Sequence, residues 1–317
     1  MELLLHQWGD WPELYRNTDK TEATEIVIID SQMNYRGKLD TYISKFSIDF
    51  FFYKNGKIKK NRLLHSIRKE TIMTDLERLR EMIESHHKIA FFGGAGVSTE
   101  SHIPDFRGAN GIYRQKTNLP WTPEEMLSHH FYEEHPVEFF TNYKSFAEAM
   151  VAAEPNRAHY ALARLEEEGK LHGIVTQNID GLHQKAGSQN VMELHGSILR
   201  NYCTQCGRSY DVDSFLSLCS PVPHCPYCGG IVKPDVVLYE EPLDMDTMED
   251  AMDAIQTADM LIIGGTSLVV YPAAGFIDYF AGDSLVMINQ DATGRDSTCD
   301  LVFHDSVGKI LGEVVGV

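Results

Sequence analysis

Between Ile89 and Gly96 the chain reads Ile-Ala-Phe-Phe-Gly-Gly-Ala-Gly. An apolar run that stops abruptly in glycines describes a buried parallel strand turning tightly towards a helix. Glycines let the main chain approach a pyrophosphate closely, and free N–H groups at the helix start then bind it. A plain strand-to-helix turn has the same outline, so the turn alone does not decide. The residues that follow do. Pro104-Asp105-Phe106-Arg107-Gly108 sets an acid, an aromatic ring and an arginine side by side, too polar for a plain core helix.

The chain from Met73 onward alternates strands with helices. Thr74 or Asp75 starts a helix that runs to about residue 86, with Leu76, Leu79, Met82 and Ile83 at helical spacing as its buried stripe. Thr122-Pro123-Glu124-Glu125 starts another: a hydroxyl cap, proline in the first turn, acids facing the positive end of the dipole. Helices are expected over 136–150, 156–168 and 245–257. Strands are expected over 171–176, 191–194, 236–239, 260–264 and 285–289. The aromatics Phe131, Tyr132, Phe139, Phe140, Tyr143 and Phe146 read as core. This alternation predicts an α/β fold with a Rossmann-like, doubly wound parallel sheet. Polar residues gather just past the strands' C-terminal ends, where such sheets bind ligands.

Cys203-Thr-Gln-Cys206 and Cys225-Pro-Tyr-Cys228 form two CxxC pairs separated by 18 residues. Each pair grips an ion from a tight turn, and Gly207 and Gly229 follow the second cysteines as such turns prefer. Four thiolates leave no open position, so the spacing predicts one structural Zn2+ held by Cys203, Cys206, Cys225 and Cys228. The module spans about 201–232, a small insertion. Cys219 and Cys299 read as free thiols, and His224 as a poor fifth ligand.

The net charge of −18 argues against nucleic acid as a direct partner, because phosphate binding needs a basic face. It suits basic, lysine-rich peptides, or solubility alone. The start, MELLLHQWGDWPEL, is short and acid-flanked with no basic residue ahead, so no secretory signal is read. No stretch approaches the roughly 18 apolar residues of a membrane span. With metal-type cysteine pairs, a cytoplasmic location is expected. Residues 1–72 differ from the rest. They hold twelve basic and ten acidic side chains, leaving sixteen and thirty-six for 73–317. Strands are expected at 25–30 and 48–53. Three readings stay open: a small extra domain, a partner-binding arm, or an extension ahead of a true start at Met73.

Five stretches stand in one order: the loop 91–108, Gln177-Asn178-Ile179-Asp180, Leu194-His195-Gly196-Ser197, the two cysteine pairs, and Gly265-Thr266-Ser267-Leu268-Val269-Val270-Tyr271-Pro272. Together they resemble the sirtuins, the NAD-dependent protein deacylases, over about residue 73 to the C-terminus. The resemblance implies a catalytic domain over 73–317 with a helical module beside the cofactor, some of whose aromatics line an acyl-lysine tunnel. It implies NAD as co-substrate. Ala95, Gly96 and Thr99 would line the diphosphate end. Phe106 and Arg107 would cover the nicotinamide ribose and phosphates, with Tyr113 where the loop closes. Gln177 would bind the ribose. Asn178 and Asp180 would lie in the nicotinamide pocket, with Ile179 pressing on that ring. Thr266, Ser267, Asn289 and Val307 match the adenosine half. His195 is the expected general base, since an imidazole titrates near neutrality and can take a proton from a ribose hydroxyl. Asn178 and His195 are the expected catalytic pair. The acylated peptide would lie as an extended strand along 237–241.

The chain departs from the family pattern at His102, where glycine is usual, and at Tyr239-Glu240-Glu241, where Phe-Gly-Glu is common. No Tyr and Arg pair is placed as in the desuccinylating branch, which favours acetyl. The expected reaction is deacetylation of acetyl-lysine to nicotinamide, lysine and O-acetyl-ADP-ribose. Mono-ADP-ribosyl transfer and an idle NAD sensor are the alternatives. A dehydrogenase would want an acid about 20 residues past the glycines at a second strand's end. The residues there, 114–130, read as loop and helix.

Overall fold

A computed structural model describes residues 73–108, 111–114 and 120–317, together with the backbone of three strands before them. The chain divides into two compact units, 1–72 and 73–317. In the first, β1 (Ile26–Ile28), β2 (Phe46–Lys54) and β3 (Lys57–His65) form an antiparallel sheet in that order. Two of these match the expected strands at 25–30 and 48–53. The third reads Lys-Ile-Lys-Lys-Asn-Arg-Leu-Leu-His, whose basic run hides any apolar pattern; it forms as the register partner of β2.

The second unit begins with α1 (Asp75–Ser85), capped by Thr74 in a capping box with Glu77. Leu79 and Ile83 are its buried face, and Leu76 and Met82 pack at the edge. Then follow β4 (Ile89–Gly93), the short helices α2 (Pro123–Met126) and α3 (His129–Glu134), and the longer α4 (Pro136–Val151) and α5 (Arg157–Glu167). Next come β5 (Leu171–Thr176), α6 (Leu182–Ala186), β6 (Val191–Glu193), β7 (Gly196–Cys203), β8 (Ser209–Asp211), α7 (Val212–Leu218) and β9 (Val232–Val236). The chain closes with α8 (Met245–Gln256), β10 (Met260–Gly264), β11 (Ser284–Ile288), β12 (Leu301–Phe303) and α9 (Val307–Val315).

Six strands make one parallel sheet in the order β12-β11-β10-β4-β5-β6. Its two-residue period sorts the core. Ile89 and Phe91 with Met260, Ile262, Val286 and Ile288 pack on one face, against α1, α5 and α9. Ala90 and Phe92 with Leu261, Ile263 and Met287 pack on the other, against α8. A strand covered on both faces reads as continuous apolar sequence, which is why β4, β10 and β11 stood out. The order reverses between β4 and β10, so the crevice at their C-terminal ends is a topological switch point.

Val236–Tyr239 is not a strand of this sheet. The strand there is β9, which runs antiparallel to β7 in a separate three-stranded sheet, β8-β7-β9. The chain leaving the cysteine module is held by the strand that entered it, so 237–239 continue past the sheet. The module's sheet accordingly reaches from Gly196 to Val236, wider than 201–232. Its core is not its own either. Phe215, Val232, Cys203 and Cys225 share one cluster with Phe131, Phe139, Phe140 and Tyr143 of α3 and α4. Insertion and helical module are one packed body. Among the described residues no helix is long and apolar enough to cross a membrane.

Candidate active site

The glycine turn after β4 is joined to the matching turn after β10, main chain to main chain. Gly94 N–H donates to the Gly264 carbonyl (3.2 Å) and Gly96 N–H to the Gly265 carbonyl (2.8 Å). A β-carbon on Gly96 would lie 2.7 Å from Gly265 Cα, and one on Gly265 would lie 2.3 Å from the Val97 nitrogen. Gly265 also has φ +61°, a left-handed conformation that costs glycine nothing. The two loops can approach only as glycines, and they form the floor of a cleft.

Above that floor lies a cavity of about 380 Å³, within the usual range for ligand sites. Its walls bring together Ala95, Gly96, Thr99, Phe106, Arg107, Gln177, Asn178, Ile179, His195, Thr266, Ser267, Asn289 and Val307, residues drawn from across the whole domain. Tyr113 lines it as well, and Tyr143 and Phe146 are the helical-module aromatics that reach it. Asp180 does not line it. Its carboxylate is buried one step behind the wall, accepting from the Ser98 hydroxyl (2.7 Å) and the Leu182 N–H (2.9 Å). Burial pushes the Asp180 carboxyl up, against those two hydrogen bonds. Ser98 in turn accepts from Asn178 Nδ2 (3.0 Å). The relay runs one way, Asn178 to Ser98 to Asp180, and leaves the Asn178 amide oxygen without a partner in it. Ser98, fully buried, escaped the sequence reading. Its only signal was its place directly after the glycine turn.

His195 stands two residues past β6, just before β7. Its Nδ1 lies 2.9 Å from the Gln177 carbonyl oxygen. A carbonyl only accepts, so Nδ1 carries the proton and Nε2 keeps its lone pair. Burial lowers the His195 pKa, outweighing the Gln177 carbonyl that favours the charged form. The ring is therefore a neutral base with one lone pair, on the wall of the cavity. Gln177 Nε2 donates to Thr266 Oγ1 (3.1 Å), and the Asn289 side chain bonds both ways with the Thr266 main chain (2.9 Å each). These ties fasten the ends of β5, β10 and β11 to one another.

Both positions where the chain departs from glycine keep a glycine-like backbone: His102 has φ 65° and Glu240 φ 78°. Glu240 is held there by His130, through its N–H (3.1 Å) and ring Nδ1 (2.8 Å). Tyr239 uses its own N–H and C=O on Leu127 and His129 (3.0 Å each), a bridge to the start of α3.

Away from the cleft, the four cysteine sulfurs of 203, 206, 225 and 228 all lie within 4.8 Å of one another, with separations of 3.4 Å (203–228) and 3.8 Å (206–225). Sulfurs about 2.3 Å from a shared zinc stand about 3.8 Å apart in a tetrahedron, so the donor set fits that ion. The Tyr210 hydroxyl donates to Cys225 Sγ (3.0 Å). His224 Nδ1 is engaged with the Gly229 carbonyl (3.0 Å), and Cys219 donates to the Phe215 carbonyl (3.4 Å); neither belongs to the cluster.

The sequence model of the Sir2 family matches residues 94–272, more than half of the chain. The chain belongs to that family. It is 59% identical over 241 residues to an NAD-dependent protein deacetylase of Clostridium perfringens, covering 76% of this chain and 98% of that protein. It is 54% identical over 246 residues to one of Clostridium acetobutylicum, covering 77% and 99%. Among solved structures it resembles a Sir2–p53 peptide–NAD+ complex (35% identity, TM-score 0.68, 76% of this chain and 97% of that one). It resembles equally a Sir2 bound to acetylated peptide (33% identity, TM-score 0.68, with the same coverage). The cavity lies at the switch point of the parallel sheet, beside the second body.

Proposed function

We propose that the chain removes acetyl groups from lysine side chains of proteins at the expense of NAD, giving nicotinamide, free lysine and O-acetyl-ADP-ribose. The observation that carries this is the cavity itself: a neutral, oriented histidine, the Asn178–Ser98–Asp180 relay and the glycine floor meet at one switch point. Relatives up to 59% identical that carry the deacetylase name support it.

NAD would supply a ribose carbon: its bond to nicotinamide would break as the acetyl oxygen bonds to it, and water would then release lysine and leave the acetyl group on ADP-ribose. The chain's residues do the rest. The main chain at Ala95 and Gly96, with Thr99, faces the diphosphate, where glycines let the backbone come close. Phe106 and Arg107 cover the ribose and phosphates. Gln177 takes a ribose hydroxyl. Thr266, Ser267, Asn289 and Val307 hold the adenosine half. The free Asn178 amide oxygen faces the carboxamide, and Asp180 supports it from behind Ser98 by fixing the relay's direction. Ile179 presses on the nicotinamide ring. Nε2 of His195 accepts a proton from a ribose hydroxyl, and burial keeps the ring neutral for that step. Nδ1 stays tied to Gln177 throughout.

The acetylated peptide lies as an extended strand beside 237–241. Tyr239 spends its main-chain groups on Leu127 and His129 and Leu238 spends both of its own on Glu241, so pairing with the peptide exchanges the Leu238–Glu241 bonds. Tyr143 and Phe146 wall the path of the acyl-lysine. A structural zinc would be held by Cys203, Cys206, Cys225 and Cys228. We take 73–317 as the catalytic domain and 1–72 as a separate unit, in line with the compact division of the chain. Four unpaired thiols placed as metal ligands suit the cytoplasm. Incubation with NAD and an acetyl-lysine peptide, followed by mass spectrometry, tests the reading. Unmodified lysine with acetyl on ADP-ribose supports it; ADP-ribose attached to protein would move the assignment to a transferase.

A further inference from the structure

One side-chain contact joins the cofactor side of the cleft to the peptide side, and the roles above leave it unused. The Tyr113 and Tyr239 hydroxyls lie 2.8 Å apart. Tyr113 belongs to the loop after β4 and is held locally. Its N–H donates to the Phe106 carbonyl (3.0 Å), its ring packs 5.3 Å from the Phe106 ring, and the Arg107 guanidinium lies 5.0 Å from its centre. Phe106, Arg107 and Tyr113 are thus one stack, and the Tyr113 hydroxyl is its outer end.

Tyr239 is fixed through its main chain, while its ring stays partly exposed. Both of its main-chain groups are bonded, to Leu127 and His129. The next two residues are tied by their carboxylates, Glu240 to His130 (2.8 Å) and Glu241 to His129 (2.8 Å), Lys233 (3.1 Å) and the Leu238 N–H (2.9 Å). A phenol on a fastened segment therefore bonds a phenol on a locally held loop, and the fastened partner sets where the other stands. Burial and the bond to Tyr239 push the Tyr113 phenol up, so it stays protonated and able to share the bond at any working pH.

We propose that Tyr239 is a positioning residue for NAD: through its hydroxyl it holds the Tyr113–Phe106–Arg107 stack in place over the cofactor cavity. The inference rests on the assignment of that cavity to NAD. Tyr239 touches no cofactor in this scheme; it acts through Tyr113.

A double-mutant cycle on the full chain tests it, with Tyr239→Phe, Tyr113→Phe and the pair. Phenylalanine keeps the ring and removes only the hydroxyl. Steady-state nicotinamide release is followed against NAD at saturating acetyl-lysine peptide. One neutral hydrogen bond corresponds to about a 2- to 12-fold change in an equilibrium constant. Tyr239→Phe should raise the KM for NAD by that factor and change kcat less. Tyr113→Phe should do the same, and the pair should be no worse than either alone, because one shared bond is lost in all three. Thermal melting matching the wild type in each variant shows that the KM shift is not unfolding. A wild-type KM in Tyr239→Phe, or effects that multiply in the pair, overturns the positioning role while turnover by the wild type leaves the NAD assignment standing. No nicotinamide release by the wild type defeats that assignment, and this inference with it.

Discussion

At the floor of the cleft Gly94, Gly96, Gly264 and Gly265 bond main chain to main chain; at its rim the segment after β9 is fastened largely by side chains, His129 and His130 to Glu241 and Glu240, and Tyr239 to Tyr113. The floor belongs to the parallel sheet with its two helical faces. The rim hangs on the second body, where α3 and α4 share a core with the cysteine module. A backbone-built floor has one geometry, and at Gly96 and Gly265 it leaves no room for a β-carbon. A side-chain-built rim can be retuned residue by residue, in keeping with the proposal that the peptide binds on that side.

The largest test of this division is removal of the metal. Chelation, or Cys225→Ser, should cost the second body more than about 4 kcal/mol, since structural zinc contributes folding energy outright. Hydrogen exchange should show lost protection in β7 and β9 and retained protection in β4, β5 and β10. Equal loss in both would mean that floor and rim are one cooperative unit.

Gly265→Ala strikes the floor. It places a methyl 2.3 Å from the Val97 nitrogen at φ +61°. It should cost about 3 kcal/mol in denaturant unfolding and weaken NAD binding with it. A variant of wild-type stability would show that the two loops can part.

The two regions should answer pH in opposite directions. His159 and His183 lie buried beneath the floor side, rings 4.8 Å apart; burial pushes His159 down to about 4 and His183 lower than its ordinary range. Both must be neutral in the fold, so their penalty is absent at neutral pH and grows as pH falls from about 6.5 towards 4. At the rim, Glu241 and then Glu133 raise the His129 pKa against burial. That contribution is present below about 6.5 and is lost as pH rises through the raised value. Glu240 is held below its ordinary range by His130, so its tie is lost only as pH falls below about 4.5. Between pH 8 and 6, exchange of the Tyr239 and His129 N–H groups, corrected for its intrinsic rate, should slow. Over the same range global stability should not rise. Parallel pH profiles for the two would break the contrast.

The smallest effect compares two of the left-handed non-glycine residues, His102 and Glu240. His102→Gly should stabilise by about 1 kcal/mol, since it removes a strained β-carbon with no side-chain bond in the structure to lose. Glu240→Gly relieves the same strain but gives up both bonds to His130, and should gain less. Chemical denaturation of both variants ranks them.

The floor was legible in the sequence because its signals are backbone signals. Continuous apolar strands, glycines at their ends and polar residues just beyond locate β4, β5, β10 and β11, and the CxxC spacing locates the metal cluster. What escaped was set by tertiary pairing. β3 and β12 are short or basic partners with no pattern of their own, and β9 was displaced because its partner lies in the other sheet. Asp180 behind Ser98 was invisible for a similar reason: a motif gives the order of residues, not which of them stands on the cavity wall. The rim ties join residues some 110 to 126 positions apart, with no local signature.

Nicotinamide release from NAD, measured with and without an acetyl-lysine peptide for the wild type and His195→Ala, tests the proposed reaction most directly. Release that requires the peptide and falls about 10²- to 10⁴-fold in the variant is the predicted result, the usual worth of a positioned general base. Release that needs no peptide, or that survives His195→Ala undiminished, would contradict it.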